Sequence, residues 1–116
     1  MEVLIMAPEH KAGIQGINGK VGTKKVTIRN RHRPQFRVDD MIRIVSSDDS
    51  WGCATILTSV EFYTYATIPE KDFVDDGFIS REDMISGMKK YYPQIEPTSE
   101  VTVLRWGRIF MSWAKR

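Results

Sequence analysis

The chain alternates between apolar and polar residues over several short segments, which is the pattern of half-buried β-strands. The segments predicted as strands cover residues 2–6, 26–29, 41–45, 51–60 and 101–106. Residues 62–68 stay rich in β-formers after a predicted bend, and residues 108–113 fit either a further strand or a basic tail. Proline donates no backbone N–H, so Pro34 and Pro69 mark the end of two segments. The pattern therefore predicts five or six short strands.

One segment near the C-terminal end has helical periodicity. Ser80 and Asp83 resemble a capping box, and Met84 and Met88 recur at helical spacing before Pro93 ends the segment. Near the N-terminus, residues 11–15 form at most a short helix. We expect an α+β fold, in which the sheet closes on itself because one main helix and one short helix are too few to cover an open sheet. The predicted fold is a small closed or nearly closed β-barrel with one main helix near the C-terminal end.

Length and composition narrow the class of protein. A chain of 116 residues fits a single domain spanning 1–116. The apolar run at residues 3–7 is too short for a signal peptide or a membrane span, so we expect a cytoplasmic protein with no membrane partner. Cys53 is the only cysteine and, with His10 and His32, offers no zinc-ligand spacing. We expect neither a metal nor a cofactor, and the oligomeric state is left open.

The distribution of charge is more informative than the net charge of +2. The segment from 20 to 37 contains no acid and seven basic residues: Lys20, Lys24, Lys25, Arg29, Arg31, Arg33 and Arg37. Residues 61 to 83 reverse this balance, with seven acids and two basic residues. A local basic field suits RNA or a nucleotide phosphate. Packing of the basic segment near the acidic one is the other interpretation.

The segment from Gly22 to Arg29 concentrates the candidate chemistry. A glycine turn leads into a strand whose alternation places Thr27 and Arg29 opposite the apolar Val26 and Ile28. Lys24 lies at the start of this strand. Two cations and a hydroxyl could together hold a phosphate or a polarised carbonyl. The same pattern also fits a half-exposed strand whose basic residues are simply solvated.

The ordered set of motifs resembles the ASCH domain family, a branch of the PUA-like β-barrels. That family has Gly-x-Lys-x-x-Thr-hydrophobic-Arg, a Gly-Asp turn into a strand, a helix ending in Tyr-Pro, and a last strand. The corresponding segments here are 22–29, 38–44, 92–93 and 101–106, within a resemblance that covers about residues 3–106. Two departures stand out. Asp39 replaces the family glycine, and Asp75-Asp76 stands where the family tends to have a glutamate.

The resemblance implies a PUA-like barrel that binds RNA or a nucleoside. One bacterial subgroup removes the acetyl group of N4-acetylcytidine, and other members cleave RNA. In the deacetylating subgroup, the lysine and threonine of the motif and the downstream acid are the proposed catalytic set. Carried over by position, that set is Lys24, Thr27 and Asp76, with Asp75 as the less favoured register. Arg29 would bind the substrate.

These residue types suit amide hydrolysis. Thr27 could attack the carbonyl carbon if Lys24 is neutral, which requires partial burial or a neighbouring cation to lower the lysine pKa. Asp76 would position Lys24 or, with a raised pKa, protonate the leaving amine. An aspartate ahead of a helix also has a purely structural role beside the positive end of the helix dipole.

The remaining candidates for substrate or RNA binding are three cations and one aromatic residue: Lys25, Arg31, Arg33 and Trp51. The arginines suit phosphate contacts, and Trp51 lies beside a polar loop where it could stack on a base as a lid. Trp106, within a strand, is assigned to the core. Three functions follow: an amidohydrolase for a modified nucleoside, a non-catalytic RNA-binding module that uses the Lys20–Arg37 face, and a ribonuclease in the same cleft.

Overall fold

The structure is a computed structural model that describes residues 1–17 and 20–115. Its regular elements follow in chain order: β1 (Glu2–Met6), α1 (Lys11–Gln15), β2 (Val26–Asn30), β3 (Met41–Ser46), β4 (Trp51–Thr64), α2 (Glu70–Asp75), α3 (Arg81–Lys89), β5 (Glu100–Trp106) and β6 (Phe110–Ala114). A short 3₁₀ helix, Pro8–His10, connects β1 to α1.

The strands form one curled sheet in the order β1-β3-β4-β5-β2, with β6 also paired to β4. β1 runs parallel to β3, and the next neighbours along the order are antiparallel. β4 joins the two halves of the sheet. Its first part pairs with β3 and β6, and its second part pairs with β5 after an irregularity between Leu57 and Ser59. The result is a half-barrel whose end strands are β1 and β2, which confirms the predicted α+β class.

The sheet separates two hydrophobic clusters. The inner cluster is formed by Leu4, Met6, Ile14, Phe36, Ile42, Ile44, Trp51, Cys53, Leu57, Leu104 and Trp106. The outer cluster lies under α2 and α3 and is formed by Val26, Ile28, Tyr65, Ile68, Phe73, Met84, Met88, Ile95, Val101 and Val103. Each face of the sheet is therefore packed, which is why so few helices suffice to complete the fold.

The end strand β2 is packed on its two faces. Val26 and Ile28 belong to the outer cluster, as the alternation predicted. Thr27 is paired with Leu104 of β5, and residues opposite one another in a sheet share a face, so Thr27 faces the inner cluster. Thr27 is only 5% exposed. The interpretation of this segment as a half-exposed strand is therefore wrong.

Helix α2 is the main element that the sequence did not predict. Its six residues carry two neighbouring apolar side chains, Phe73 and Val74, and this is too short a run to show helical periodicity. The predicted β-rich segment also ends earlier than expected, because a turn in which the Thr67 N–H donates to the Thr64 carbonyl closes β4. The C-terminal residues form a strand rather than a tail.

Helix α3 begins as the capping pattern predicted. The Ser80 hydroxyl oxygen accepts a hydrogen bond from the Asp83 backbone N–H at 3.0 Å. In the part of the chain that the structure describes, none of the helices has the length and apolarity to cross a membrane.

The inner cluster should dominate stability. Leu104 is fully buried beside Thr27, and its replacement by alanine leaves a cavity, so Leu104→Ala should lower the free energy of unfolding by about 2–5 kcal/mol. Ile79→Ala, at an exposed position, should change it by less than about 0.5 kcal/mol. Urea unfolding of both variants checks this, and equal effects would contradict the assignment of Leu104 to the core.

Candidate functional site

Lys24 and Asp76 meet at the open edge of β2. The Lys24 ammonium nitrogen donates to Asp76 Oδ1 at 2.5 Å, and the two side chains are only 14% and 9% exposed. The Lys24 backbone N–H donates to the Gly13 carbonyl at 2.8 Å, so α1 fixes the position of the lysine. Asp76 caps the C-terminal end of α2 and donates its own N–H to the Asp72 carbonyl. Two of the predicted catalytic residues are therefore in direct contact.

The neighbouring Asp75 has different partners. Its Oδ2 accepts hydrogen bonds from Lys71 at 2.8 Å and from Arg105 at 3.0 Å. Arg105, on β5, also donates to Asp72 at 2.6 Å. These ion pairs attach α2 to the sheet and leave Asp76 as the acid that reaches the buried lysine. Of the two aspartates, Asp76, which the sequence analysis favoured, is thus the one that contacts Lys24.

Thr27 and Arg29 lie on the inner face of β2. Arg29 Nε donates to Thr27 Oγ1 at 3.2 Å, and an Arg29 Nη contacts the Met6 sulfur at 3.4 Å. The arginine therefore bridges the two end strands, β2 and β1. Among the side chains that the structure describes, Thr27 is hydrogen-bonded to Arg29 and not to Lys24. The direct Lys24–Thr27 contact that the predicted proton transfer needs is therefore absent among the described residues.

Arg31 and Arg33 lie in a loop that is fixed after β2. Arg31 has a positive φ of 74°, held by an N–H bond to the Glu100 carbonyl and by a bond from the Thr102 hydroxyl to the Arg31 carbonyl. The Arg33 N–H donates to the same Thr102 hydroxyl oxygen, and Arg33 Nε donates to the Asn30 carbonyl at 2.7 Å. This network presents the two arginines at the end of β2 that lies away from Lys24.

Trp51 and Lys25 do not lie with Lys24, Thr27, Arg29 and Asp76, which are called the Lys24 cluster from here on. Trp51 is 1% exposed in the inner cluster, and its indole N–H donates to the Pro8 carbonyl, so it is a core residue and has no face for stacking as a lid. Lys25 is exposed, and its backbone carbonyl accepts from the Trp106 N–H. Trp106 is buried, in agreement with its assignment to the core.

Two open grooves adjoin the end of β2. The first has a volume of about 360 Å³ and is lined by Asn30, Arg31, His32, Arg33, Gln35 and Tyr92. The second, of about 680 Å³, shares part of that wall and continues along residues 91–95 to Ser99 and Glu100. Neither groove is lined by Lys24, Thr27 or Asp76. Within residues 1–17 and 20–115, no three His, Cys, Asp or Glu side chains converge as metal ligands.

The fold matches solved structures of one bacterial protein. Three crystal structures of ASCH from Zymomonas mobilis, two of them of single-residue mutants, superpose with TM-scores of 0.57, 0.58 and 0.59. Each is 19% identical in sequence, and the match covers 91% of this chain. The chain has the ASCH-domain fold. It spans 66–68% of the length of those proteins, and at this identity the likeness shows the fold alone.

Sequence comparisons add no further relative. No protein-family model matches the chain, and no curated protein matches it either. The ASCH fold nevertheless accounts for one departure from the family pattern. Asp39, in place of the family glycine, has a positive φ of 71°, a conformation that aspartate tolerates better than most residues. Its N–H donates to the Leu57 carbonyl at 2.8 Å, which holds the turn before β3.

Burial is the main cause of the pKa shifts of Asp76 and Arg29. It raises the pKa of Asp76 above its usual range, although Lys24 and a backbone hydrogen bond from Ile28 act in the opposite direction. It also lowers the pKa of Arg29. The Asp76 carboxyl therefore holds its proton more tightly than the carboxyl of an exposed aspartate does.

His10 is a member of this cluster that sequence reasoning missed. Burial lowers the pKa of His10, and the Lys24 charge lowers it further. The sequence analysis considered His10 only in excluding a zinc site, because nothing in its spacing shows that it lies near Lys24. The position of α1 against Lys24 is the structural signal that reveals it.

The raised pKa of Asp76 predicts how stability depends on pH. The folded protein holds a proton on this carboxyl more tightly than the unfolded chain does, so the stabilising contribution is complete below the unfolded pKa of about 3.9. It is lost as the pH rises through the higher folded pKa. The unfolding free energy of the wild type should therefore rise relative to that of Asp76→Asn as the pH is lowered from about 7 to about 4.

Urea unfolding of both proteins across this pH range measures the difference. Asp49→Asn removes an exposed carboxyl and is the control for a general effect of charge. A decline of the wild type relative to Asp76→Asn at acidic pH would contradict the account, because it would mean that attraction by Lys24 outweighs burial.

Proposed function

We propose that this ASCH-fold protein binds a modified nucleoside, free or within RNA, and hydrolyses an amide such as that of N4-acetylcytidine. The observation that supports this is the largely buried Lys24–Asp76 contact, whose lysine precedes Thr27 by three residues, together with the Thr27 hydroxyl that accepts a hydrogen bond from Arg29. A nucleophile, a base with its partner and a cation thus occupy one short stretch of structure.

A buried ion pair is weak evidence for a role in stability. Removing an ammonium and a carboxylate from water carries a penalty of several kcal/mol per ion, and their attraction often fails to exceed it. Titratable groups whose pKa is perturbed by burial and by a specific partner are instead common at functional sites. The Lys24–Asp76 pair fits that description, because burial shifts the pKa of Asp76 while the two groups remain in contact.

The pair can supply a neutral amine. Transfer of the Lys24 proton to Asp76, whose pKa is raised by burial, would leave both groups neutral. Lys24 then accepts the Thr27 proton as the Thr27 oxygen bonds to the acyl carbon. The Arg29 guanidinium, beside Thr27, would stabilise the negative charge that develops on the carbonyl oxygen of the amide.

The remaining steps return each proton. The carbon–nitrogen bond breaks, and the leaving cytosine amine takes its proton from the Lys24 ammonium. Water then attacks the acyl-threonine and gives a proton to Lys24, which passes it to the Thr27 oxygen as acetate departs. Overall, one amide and one water molecule give one amine and one carboxylic acid.

Loss of Lys24 or Thr27 should abolish turnover. Lys24→Ala removes the base and Thr27→Ala removes the nucleophile, so each should reduce cytidine formation from N4-acetylcytidine by at least about 100-fold. Chromatography of the nucleoside products measures this, and thermal unfolding confirms that each variant is folded. Lys115→Ala removes a lysine that pairs with Asp49 on the surface and should retain full activity.

Two outcomes would contradict the proposal. One is an absence of acetate release by the wild type at high enzyme concentration. The other is unchanged turnover in folded Lys24→Ala. The two other functions expected from the sequence stay predictions: a non-catalytic module would bind RNA without turnover, and a ribonuclease would cleave RNA that carries no acetyl group.

A further inference from the structure

His10 lies on a stretch of helix that is attached to the sheet at both ends. It is the last residue of the 3₁₀ helix Pro8–His10, and α1 follows directly. The Trp51 indole N–H donates to the carbonyl of the first residue of this 3₁₀ helix at 2.9 Å. At the other end, the Gln15 side-chain amide donates to the Gly52 carbonyl at 2.7 Å. Because Trp51 and Gly52 both belong to β4, the backbone of His10 is held against the sheet.

The same stretch contacts Lys24. The Gly13 carbonyl accepts the Lys24 N–H at 2.8 Å, and a Cβ atom placed on Gly13 would lie 3.4 Å from the Lys24 Cβ. His10 is three residues before Gly13 and four before Ile14, and such residues lie on one helix face with Cβ atoms about 5–6 Å apart. Ile14 belongs to the inner cluster. The half-buried side chain of His10 therefore starts from the helix face that packs on Lys24 and on the inner cluster.

The ring of His10 can accept a hydrogen bond at neutral pH. Burial lowers its pKa below the ordinary value of 6.5, and the charges of Lys24 and Arg29 lower it further. The charges of Glu9 and Asp76 act in the opposite direction without reversing the shift. A neutral imidazole has one nitrogen that accepts a hydrogen bond. Among the residues that the structure describes, the side-chain hydrogen bonds of the Lys24 cluster do not use this ring.

The second half of the proposed reaction requires a water molecule in a defined orientation. Water attacks the acyl-threonine in that step and gives a proton to Lys24. One hydrogen bond to Lys24 would leave the water free to rotate, whereas a second acceptor for its other hydrogen would direct an oxygen lone pair at the acyl carbon. Asp76 contacts Lys24 from the end of α2, and the stretch that carries His10 contacts it from α1. His10 is therefore placed to be that second acceptor.

We propose that the His10 ring accepts a hydrogen bond from the water that hydrolyses the acyl-threonine and orients this water beside Lys24. The inference rests on the proposed function and adds a residue to it. As the water oxygen bonds to the acyl carbon, one water proton passes to Lys24 and the other stays hydrogen-bonded to His10. The carbon–oxygen bond to Thr27 then breaks, and the Thr27 oxygen takes the proton from Lys24 as acetic acid departs. His10 keeps its own proton throughout and acts by contact with the reacting water.

The time course of N4-acetylcytidine turnover separates the two halves of the reaction. His10→Phe keeps a ring of similar size that accepts no hydrogen bond. It should release the first equivalent of cytidine at the wild-type rate and then slow by about 100-fold as acetyl-Thr27 accumulates. Mass spectrometry of the intact protein detects the acetyl group, and peptide digestion assigns it to Thr27. Lys11→Gln changes an exposed residue next to His10 and should behave as the wild type does.

The pH dependence of the second half gives an independent readout. Protonation of His10 removes the acceptor nitrogen, so the wild-type rate of deacetylation should fall as the pH drops through the lowered His10 pKa, below 6.5. His10→Gln retains an acceptor oxygen that does not titrate. At neutral pH it should deacetylate within about tenfold of the wild-type rate, and it should lack the acidic decrease that His10 causes.

Three results would overturn the inference and leave the proposed hydrolysis intact. The first is wild-type turnover in folded His10→Phe, and the second is equal slowing of its first and later turnovers, which would assign His10 to substrate binding. The third is His10→Gln as slow as His10→Phe. An absence of cytidine release by the wild type would instead refute the proposed hydrolysis, and the inference with it. Thermal unfolding of each variant confirms that it is folded.

Discussion

The buried contact between Lys24 and Asp76 is the constraint on which the site depends. It joins the loop before β2 to the end of α2 at the open edge of the sheet. Each partner is fixed independently, the lysine by the Gly13 carbonyl and the aspartate by the attachment of α2 to Arg105. Because the two side chains are only 14% and 9% exposed, their charges interact in a partly desolvated environment. Such an environment amplifies electrostatic effects on a reacting group.

Strand β2 arranges the proposed chemistry in sequence order. Lys24 lies at its start, Thr27 and Arg29 lie on its inner face, and Arg31 follows its end. Packing on the two faces makes the strand rigid, so spacing along the chain translates directly into spacing in the site. The proposed catalytic residues and the two grooves thus occupy successive positions along β2 and the loop that follows it.

Much of this fold could be predicted from alternation alone. Strands β2, β3 and β5 have clear apolar positions, and the Ser80 cap marks the start of α3. Helix α2 was missed because six residues give too little periodicity, and Asp76 could be singled out only through the resemblance. The burial of Trp51 was not predictable, since its position beside a polar loop fits both core and surface. Side-chain partners were also not predictable: Lys24 contacts Asp76 and not Thr27, because that choice depends on how α2 packs.

The central claim is that the Lys24–Asp76 pair serves chemistry rather than stability. The double variant Lys24→Met/Asp76→Leu tests it most directly, because apolar replacement of both partners removes the charges while keeping the site packed. The account predicts a free energy of unfolding equal to that of the wild type or about 1–4 kcal/mol higher, with turnover of N4-acetylcytidine lost. A double variant that is several kcal/mol less stable, yet hydrolyses the amide at the wild-type rate while folded, would contradict the account.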